Sequence, residues 1–136
     1  MISTVAVGTD GSEAASEVKQ AAEFARRFDA KLVLLSAFKD EPPPTGTDEA
    51  QWAYNPSAQL REILSRTEAE MNDRGIQCTT LVDEGDPADV LVRLADDCGA
   101  DVLVIGNKGM QRRVLCSVPK SVAHNADCSV FVVKTT

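Results

Sequence analysis

The sequence predicts an α/β domain with a doubly wound, five-stranded parallel sheet, and three observations predict it. Short β-branched runs alternate with longer amphipathic runs along the whole chain. Such alternation implies strand–helix–strand crossovers, which are right-handed and leave the strands parallel. Two runs, Lys31–Phe38 (KLVLLSAF) and Asp101–Gly106 (DVLVIG), are almost continuously apolar, as strands covered on both faces must be. Aromatic residues make up only 4% of a chain that is 43% hydrophobic, so the core has to be built from Val, Leu, Ile and Ala.

The elements follow in order. Thr4–Gly8 (TVAVG) is the first strand. Ser12–Phe28 is a helix, with Ala15, Val18, Ala22 and Ala25 spaced by three and four along one stripe. Lys31–Phe38 is the second strand. Asp40–Pro56 then breaks the pattern with Pro42-Pro43-Pro44, Gly46 and Pro56, and reads as a long surface excursion. Loops of this length often carry function; Trp52 and Tyr54 near its end either anchor it to the body or contact a ligand or partner. Ser57–Arg74 is a second helix, stopped by Gly75 as a left-handed cap. Ile76–Val82 is the third strand. Asp86 as N-cap and Pro87 at the first helical position open a helix reaching about Cys98, with Gly99 ending it. Asp101–Gly106 is the fourth strand. A glycine-containing loop, Gly106–Cys116, leads to a helix over about Ser117–Asn125 and a final strand, Ser129–Lys134. No internal repeat is visible, and one domain spanning residues 1–136 is expected.

Composition narrows the function. No stretch approaches the roughly 20 apolar residues that cross a bilayer. The start, MISTVAVGTDGS, lacks a basic region followed by an apolar run, so a cytoplasmic protein is expected. Cys78, Cys98, Cys116 and Cys128 show no CxxC or CxxH spacing; packed, reduced thiols are expected, with no structural metal. A net charge of -7 opposes non-specific nucleic-acid binding. Yet Gly106–Ala126 contains Lys108, Arg112, Arg113 and Lys120 and no acid. One basic island on an acidic chain is a candidate anion site.

In open α/β sheets ligands lie beyond the carboxyl ends of the strands, where the strand order reverses. Three segments should meet there: Thr9-Asp10-Gly11-Ser12, Ser36-Ala37-Phe38, and the loop after the fourth strand. In that loop Gly106 and Gly109 let a phosphate approach the backbone. Ser117 as N-cap and Pro119 in the first turn leave the amides of Ser117 and Val118 pointing out of a helix N-terminus, a ready anion site, with Lys108, Arg112 and Arg113 nearby in sequence. A plain turn with solvated arginines is the alternative. Asp10 either caps the first helix with Ser12, or accepts from ribose hydroxyls, or holds Mg²⁺ against phosphates. Ala37 offers backbone groups to an adenine edge, and its small side chain leaves room for the ring. His124, the single histidine, lies near a helix C-terminus, where the dipole favours a cation, rather than in a catalytic set.

Together VGTDGS, LVLLSAF, GDPADVLVRLADDCGADVLVIGNKG and SVPKSVAHNADCSVFVVKTT resemble the universal stress protein A family over essentially the whole chain. The resemblance implies a sheet of order 3-2-1-4-5, a Rossmann-like fold of the adenine nucleotide alpha hydrolase type, a role in stress response, and a homodimer through pairing of the last strands at Val130, Phe131, Val132 and Val133. Nucleotide-binding members carry G-x2-G-x9-G-S/T. Carried across, Asp10 sits by ribose or metal, Ala37 by adenine, and Gly106, Gly109, Ser117 and Val118 around ribose and phosphates; ATP, with or without Mg²⁺, is the first ligand expected and cyclic AMP the second. This chain departs from the motif: six residues separate Gly109 from the third glycine's position, and Cys116 occupies it. Its Cβ crowds a phosphate, while Arg112 and Arg113 compensate electrostatically. Cys116 reads either as an inert replacement for glycine or as a redox-sensing thiol made acidic by the helix N-terminus and two arginines. There is no GxxxxGK[ST] and no carboxylate in the fourth loop to orient water, so a regulatory binder rather than an enzyme is expected. The competing function is a dimeric interaction protein of the same family that has lost its nucleotide; a weak ATPase or redox enzyme is the third.

Overall fold

The computed structural model describes residues 1–11, 16–39, 56–107 and 117–134. Its elements are β1 (Thr4–Gly8), α1 (Ser16–Phe28), β2 (Lys31–Phe38), α2 (Pro56–Asp73), β3 (Cys78–Glu84), α3 (Pro87–Asp97), β4 (Val102–Gly106), α4 (Ser117–Asn125) and β5 (Ser129–Val133). All five strands are parallel, in the order β3-β2-β1-β4-β5. The Pro-rich excursion with Trp52 and Tyr54, and residues 12–15 including Ala15, lie outside the described residues.

Side chains alternate across each strand, so one sheet feeds two cores. Val5 and Val7 of β1, Leu32 and Leu34 of β2, and Val102 and Val104 of β4 pack with Val18, Ala21 and Ala25 of α1 and Leu64 and Met71 of α2. Ala6, Val33, Leu35, Leu103 and Ile105 point the other way, onto Val90, Leu91 and Leu94 of α3 and Val118 and Val122 of α4. Helices therefore cover both faces, which is why the central strands carry no polar alternation. The change of helical side falls between β1 and β4, where the strand order reverses.

Most boundaries follow the sequence rules. Asp86 caps α3, accepting from the Asp89 amide, with Pro87 first in the helix. Gly75 closes α2 at φ +85°. The third strand differs: it was expected over Ile76–Val82 but runs Cys78–Glu84. Pairing decides this, since the register from Leu32↔Cys78 to Phe38↔Glu84 carries β3 to the end of β2. Asp101, expected at the start of the fourth strand, lies just before it. Its Oδ2 accepts from the Ser3 amide at 2.8 Å, the Thr4 amide at 3.0 Å and the Ser3 hydroxyl at 3.1 Å.

These donors, the Ser3 amide foremost, hold the Asp101 carboxyl below the usual carboxylate range. A lowered folded-state value means stability that is present at neutral pH and lost as pH falls through it. Asp101→Asn should therefore lower the melting temperature at pH 7, with the gap from wild type closing in acid; parallel melting curves across pH check this.

Cys78, Cys98 and Cys128 are free thiols. Burial pushes all three upward, Cys78 to about 12 with Glu68 adding to the rise, so they are poor nucleophiles. Cys116 lies outside the described residues. No helix among the described residues is long and apolar enough to cross a membrane.

Candidate functional site

The carboxyl ends of β1, β2 and β4 meet as the topology requires. At the first, Gly8 lets α3 come close: a Cβ there would sit 2.9 Å from Leu91 Cδ1. Thr9 is only 2% exposed. Its amide donates to the Leu35 carbonyl at 2.9 Å, its carbonyl accepts from the Ser36 hydroxyl, and its own hydroxyl accepts from the Gly11 amide at 3.2 Å. Thr9 thus builds the turn and presents little surface to a ligand. Gly11 follows at φ +82°, and a Cβ on it would approach Leu60 Cδ1 to 3.1 Å, so the start of α2 rests directly on this turn.

Asp10 is exposed beside the crevice. Glu17, in the first turn of α1, is half-buried; burial pushes its carboxyl up, and the charge of Asp10 adds to that against the opposing pull of its own backbone amide. Ionised Glu17 is therefore a cost in the folded state, one that grows as pH rises through its unfolded and then its folded value. Glu17→Gln should raise the melting temperature at pH 7 and leave it unchanged below about pH 4, the ordinary range of a free carboxyl. Ser12 lies outside the described residues.

At the end of β2, Ala37 is half-buried and packs on the core shared with α3 and α4. The next residue, Phe38, accepts from the Gly85 amide at 2.9 Å and carries the Arg61 guanidinium 5.7 Å above its ring centroid. At the end of β4, Gly106 is half-buried, and Asn107 donates to the Val133 carbonyl at 2.8 Å. Lys108, Gly109, Arg112, Arg113 and Cys116 lie outside the described residues.

Helix α4 is described from Ser117, with Pro119 in its first turn. Val118 is 5% exposed and Val122 fully buried. Val118 thus anchors the helix through its side chain and has only its amide to give a ligand. The first turn of α4 contains no acid, which leaves its N-terminal field positive. Small residues stand at all three strand ends, Gly8, Ala37 and Gly106, with the space at Gly8 filled by Leu91 of α3. Among the described residues, no group of three His, Cys, Asp or Glu is placed to hold a metal ion.

Sequence reasoning placed Phe38 in the second of the three segments but missed Glu17 and Arg61. Glu17 offered no signal, because its role comes from packing. Arg61 did offer one: its neighbours three and four residues away are Ser57, Ala58, Leu64 and Ser65, so no acid on its own helix can pair with it.

Comparison with known proteins agrees with this fold. The model of the universal stress protein family matches residues 1–134. A universal stress protein of Mycobacterium tuberculosis is 36% identical over 143 residues, spanning 98% of this chain and 97% of that protein. Another, from Methanocaldococcus jannaschii, is 30% identical over 96% of this chain and 81% of its own length. Among solved structures, a universal stress protein in complex with cAMP superposes with a TM-score of 0.73 at 30% identity, covering 99% of both chains. One from Archaeoglobus fulgidus in complex with dAMP superposes at 0.70 with 24% identity, covering 98% of this chain and all of its own, a likeness of fold. On fold, strand order and full-length similarity alike, the chain belongs to the universal stress protein family.

Proposed function

We propose that the crevice holds an adenine nucleotide and that the protein is a single-domain, cytoplasmic regulatory binder with little or no hydrolysis. The observation that carries this reading is the acid-free N-terminus of α4, which follows β4 on the side where the strand order reverses next to β1. The similar structure in complex with cAMP supports it and sets cyclic AMP beside ATP as the ligand to test first. Asp10 accepts from ribose hydroxyls, or holds Mg²⁺ if the ligand is a triphosphate. Gly106, Gly109 and the amides of Ser117 and Val118 surround the phosphate, with Lys108, Arg112 and Arg113 supplying charge. No nucleic acid and no membrane is required as partner.

The test is direct. Mass spectrometry of the supernatant from freshly purified, denatured protein should show a co-purified adenine nucleotide, and ligand at 100 times its Kd should stabilise the fold by about 2.7 kcal/mol. An empty supernatant and no stabilisation by ATP·Mg²⁺ or cyclic AMP would instead support the interaction-protein reading. Cys116→Gly should tighten binding if its Cβ crowds the phosphate; unchanged affinity retires that idea.

Dimerisation through β5 belongs to the same proposal, and the two sheet edges support it by contrast. The start of the β3 edge is occupied: Asn72 Oδ1 accepts from the Cys78 amide at 3.0 Å and its Nδ2 donates to the Cys78 carbonyl at 3.2 Å, while Thr80 donates to Glu68. On the β5 edge Phe131 and Val132 are 41% and 44% exposed. An uncovered apolar edge strand pairs with another chain unless something blocks it. Val132→Lys should shift the protein to monomer in size-exclusion chromatography with light scattering; an unchanged mass rejects this interface.

A further inference from the structure

Six arginines fall among the described residues, and five are held by carboxylates: Arg26 and Arg27 on Glu23, Arg66 on Glu62, Arg74 on Glu70, and Arg93 on Asp83. Arg61 alone of these six has no carboxylate partner among the described residues. It lies instead over the ring of Phe38, 5.7 Å from the centroid. Its position is set from both sides. Leu60 and Ile63, its neighbours on α2, stand against Gly11 in the β1 turn, and Phe38 is the last residue of β2, directly after Ala37. A planar cation with no acid partner among the described residues is therefore stationed between Gly11 of the β1 turn and Phe38 at the end of β2, the two segments assigned to ribose and base.

We propose that Arg61 clamps the base of the bound nucleotide, its guanidinium plane stacking on the adenine whose edge meets the Ala37 backbone; this rests on the nucleotide reading above. Guanidinium planes stack on aromatic faces, and bases are held on them in single-stranded nucleic-acid sites. An exposed cation–π contact is weak, so Arg61 exchanges Phe38 for a second ring, or is shared between the two, at little cost. The base rather than the phosphate is its target because β2 and β4 flank β1 on opposite sides. Two strand spacings, about 10 Å, separate the end of β2 from the anion site at α4.

Arg61→Ala and Arg61→Lys, both at an exposed position, are compared with wild type by calorimetric titration with adenosine, cyclic AMP and ATP·Mg²⁺. Far-ultraviolet circular dichroism confirms that each variant is folded. Arg61→Ala should weaken all three ligands alike, by about five- to twentyfold, the lower range for loss of one stacking partner. It should also reduce the hypochromism of the adenine absorbance on binding. Arg61→Lys, which keeps the charge and loses the plane, should recover neither. Wild-type affinity in Arg61→Ala overturns the clamp and leaves the nucleotide reading standing. So does a loss confined to ATP and cyclic AMP that Arg61→Lys restores and salt erases, because that is a phosphate contact. If wild type binds none of the three, the nucleotide reading falls and the clamp with it.

Discussion

Leu103→Ala should destabilise the fold by about 2–5 kcal/mol, the range for emptying a leucine-sized site in a packed interior. Leu103 is fully buried in a strand hydrogen-bonded on both sides, facing Ala6 of β1 and Val130 of β5 in register. Its side chain enters the core shared with α3 and α4, the helices that shape one wall of the crevice. Urea denaturation measures the loss, with Ser65→Ala at an exposed position of α2 as reference, where about 0.5 kcal/mol or less is expected of a surface change. Nucleotide affinity should fall together with stability, because β4 carries Gly106 and the approach to α4. Equal effects at the two positions would contradict the two-sided core.

The second large effect concerns charge. Replacing Arg112 and Arg113 together by Glu should weaken ATP by about a hundredfold or more at low salt, since a hydrogen bond to a charged group contributes about 1.5–3 kcal/mol and 1.4 kcal/mol is tenfold in affinity. The reversal removes half of the four basic residues in an acid-free stretch running from Gly106 to Ala126. Adenosine, which has no phosphate, should bind as before. Isothermal titration at two salt concentrations separates the contributions, because the phosphate-dependent part shrinks with screening. A loss equal for adenosine and ATP would mean that the loop holds the base or sugar instead.

Much of this molecule was legible before its structure. The continuous apolar runs of β2 and β4 announced strands buried on both faces, and the observed cores on the two sides of the sheet are the reason. Asp86-Pro87 and Gly75 marked helix ends because capping is local chemistry: a side-chain oxygen within three residues, or a backbone angle that only glycine adopts freely. The three segments at the strand ends were legible for a similar reason. Glycines and small residues at strand ends, followed by helix starts, are written within a few consecutive positions.

Other features were not legible, and in each case contact between distant residues decided them. The end of β3 at Glu84 follows from its register with β2. Asp101 was read as part of a strand, yet its carboxylate ties down Ser3 and Thr4, 97 and more residues away. The turn-building role of Thr9 was not legible either, because it depends on Ser36 and Leu35 taking its backbone groups. The raised carboxyl of Glu17 arises from burial that no local pattern encodes. Arg61 stands between both cases. The missing acid on its helix was visible in the sequence, but its place over Phe38 depends on α2 crossing the β1 turn. What the sequence determined by itself is whatever hydrophobic period, capping and backbone freedom decide within one element: strands, helices, their order and the crevice they must form. What only the tertiary structure decided is which side chains face one another across that crevice, because register and helix packing are settled by the whole core at once.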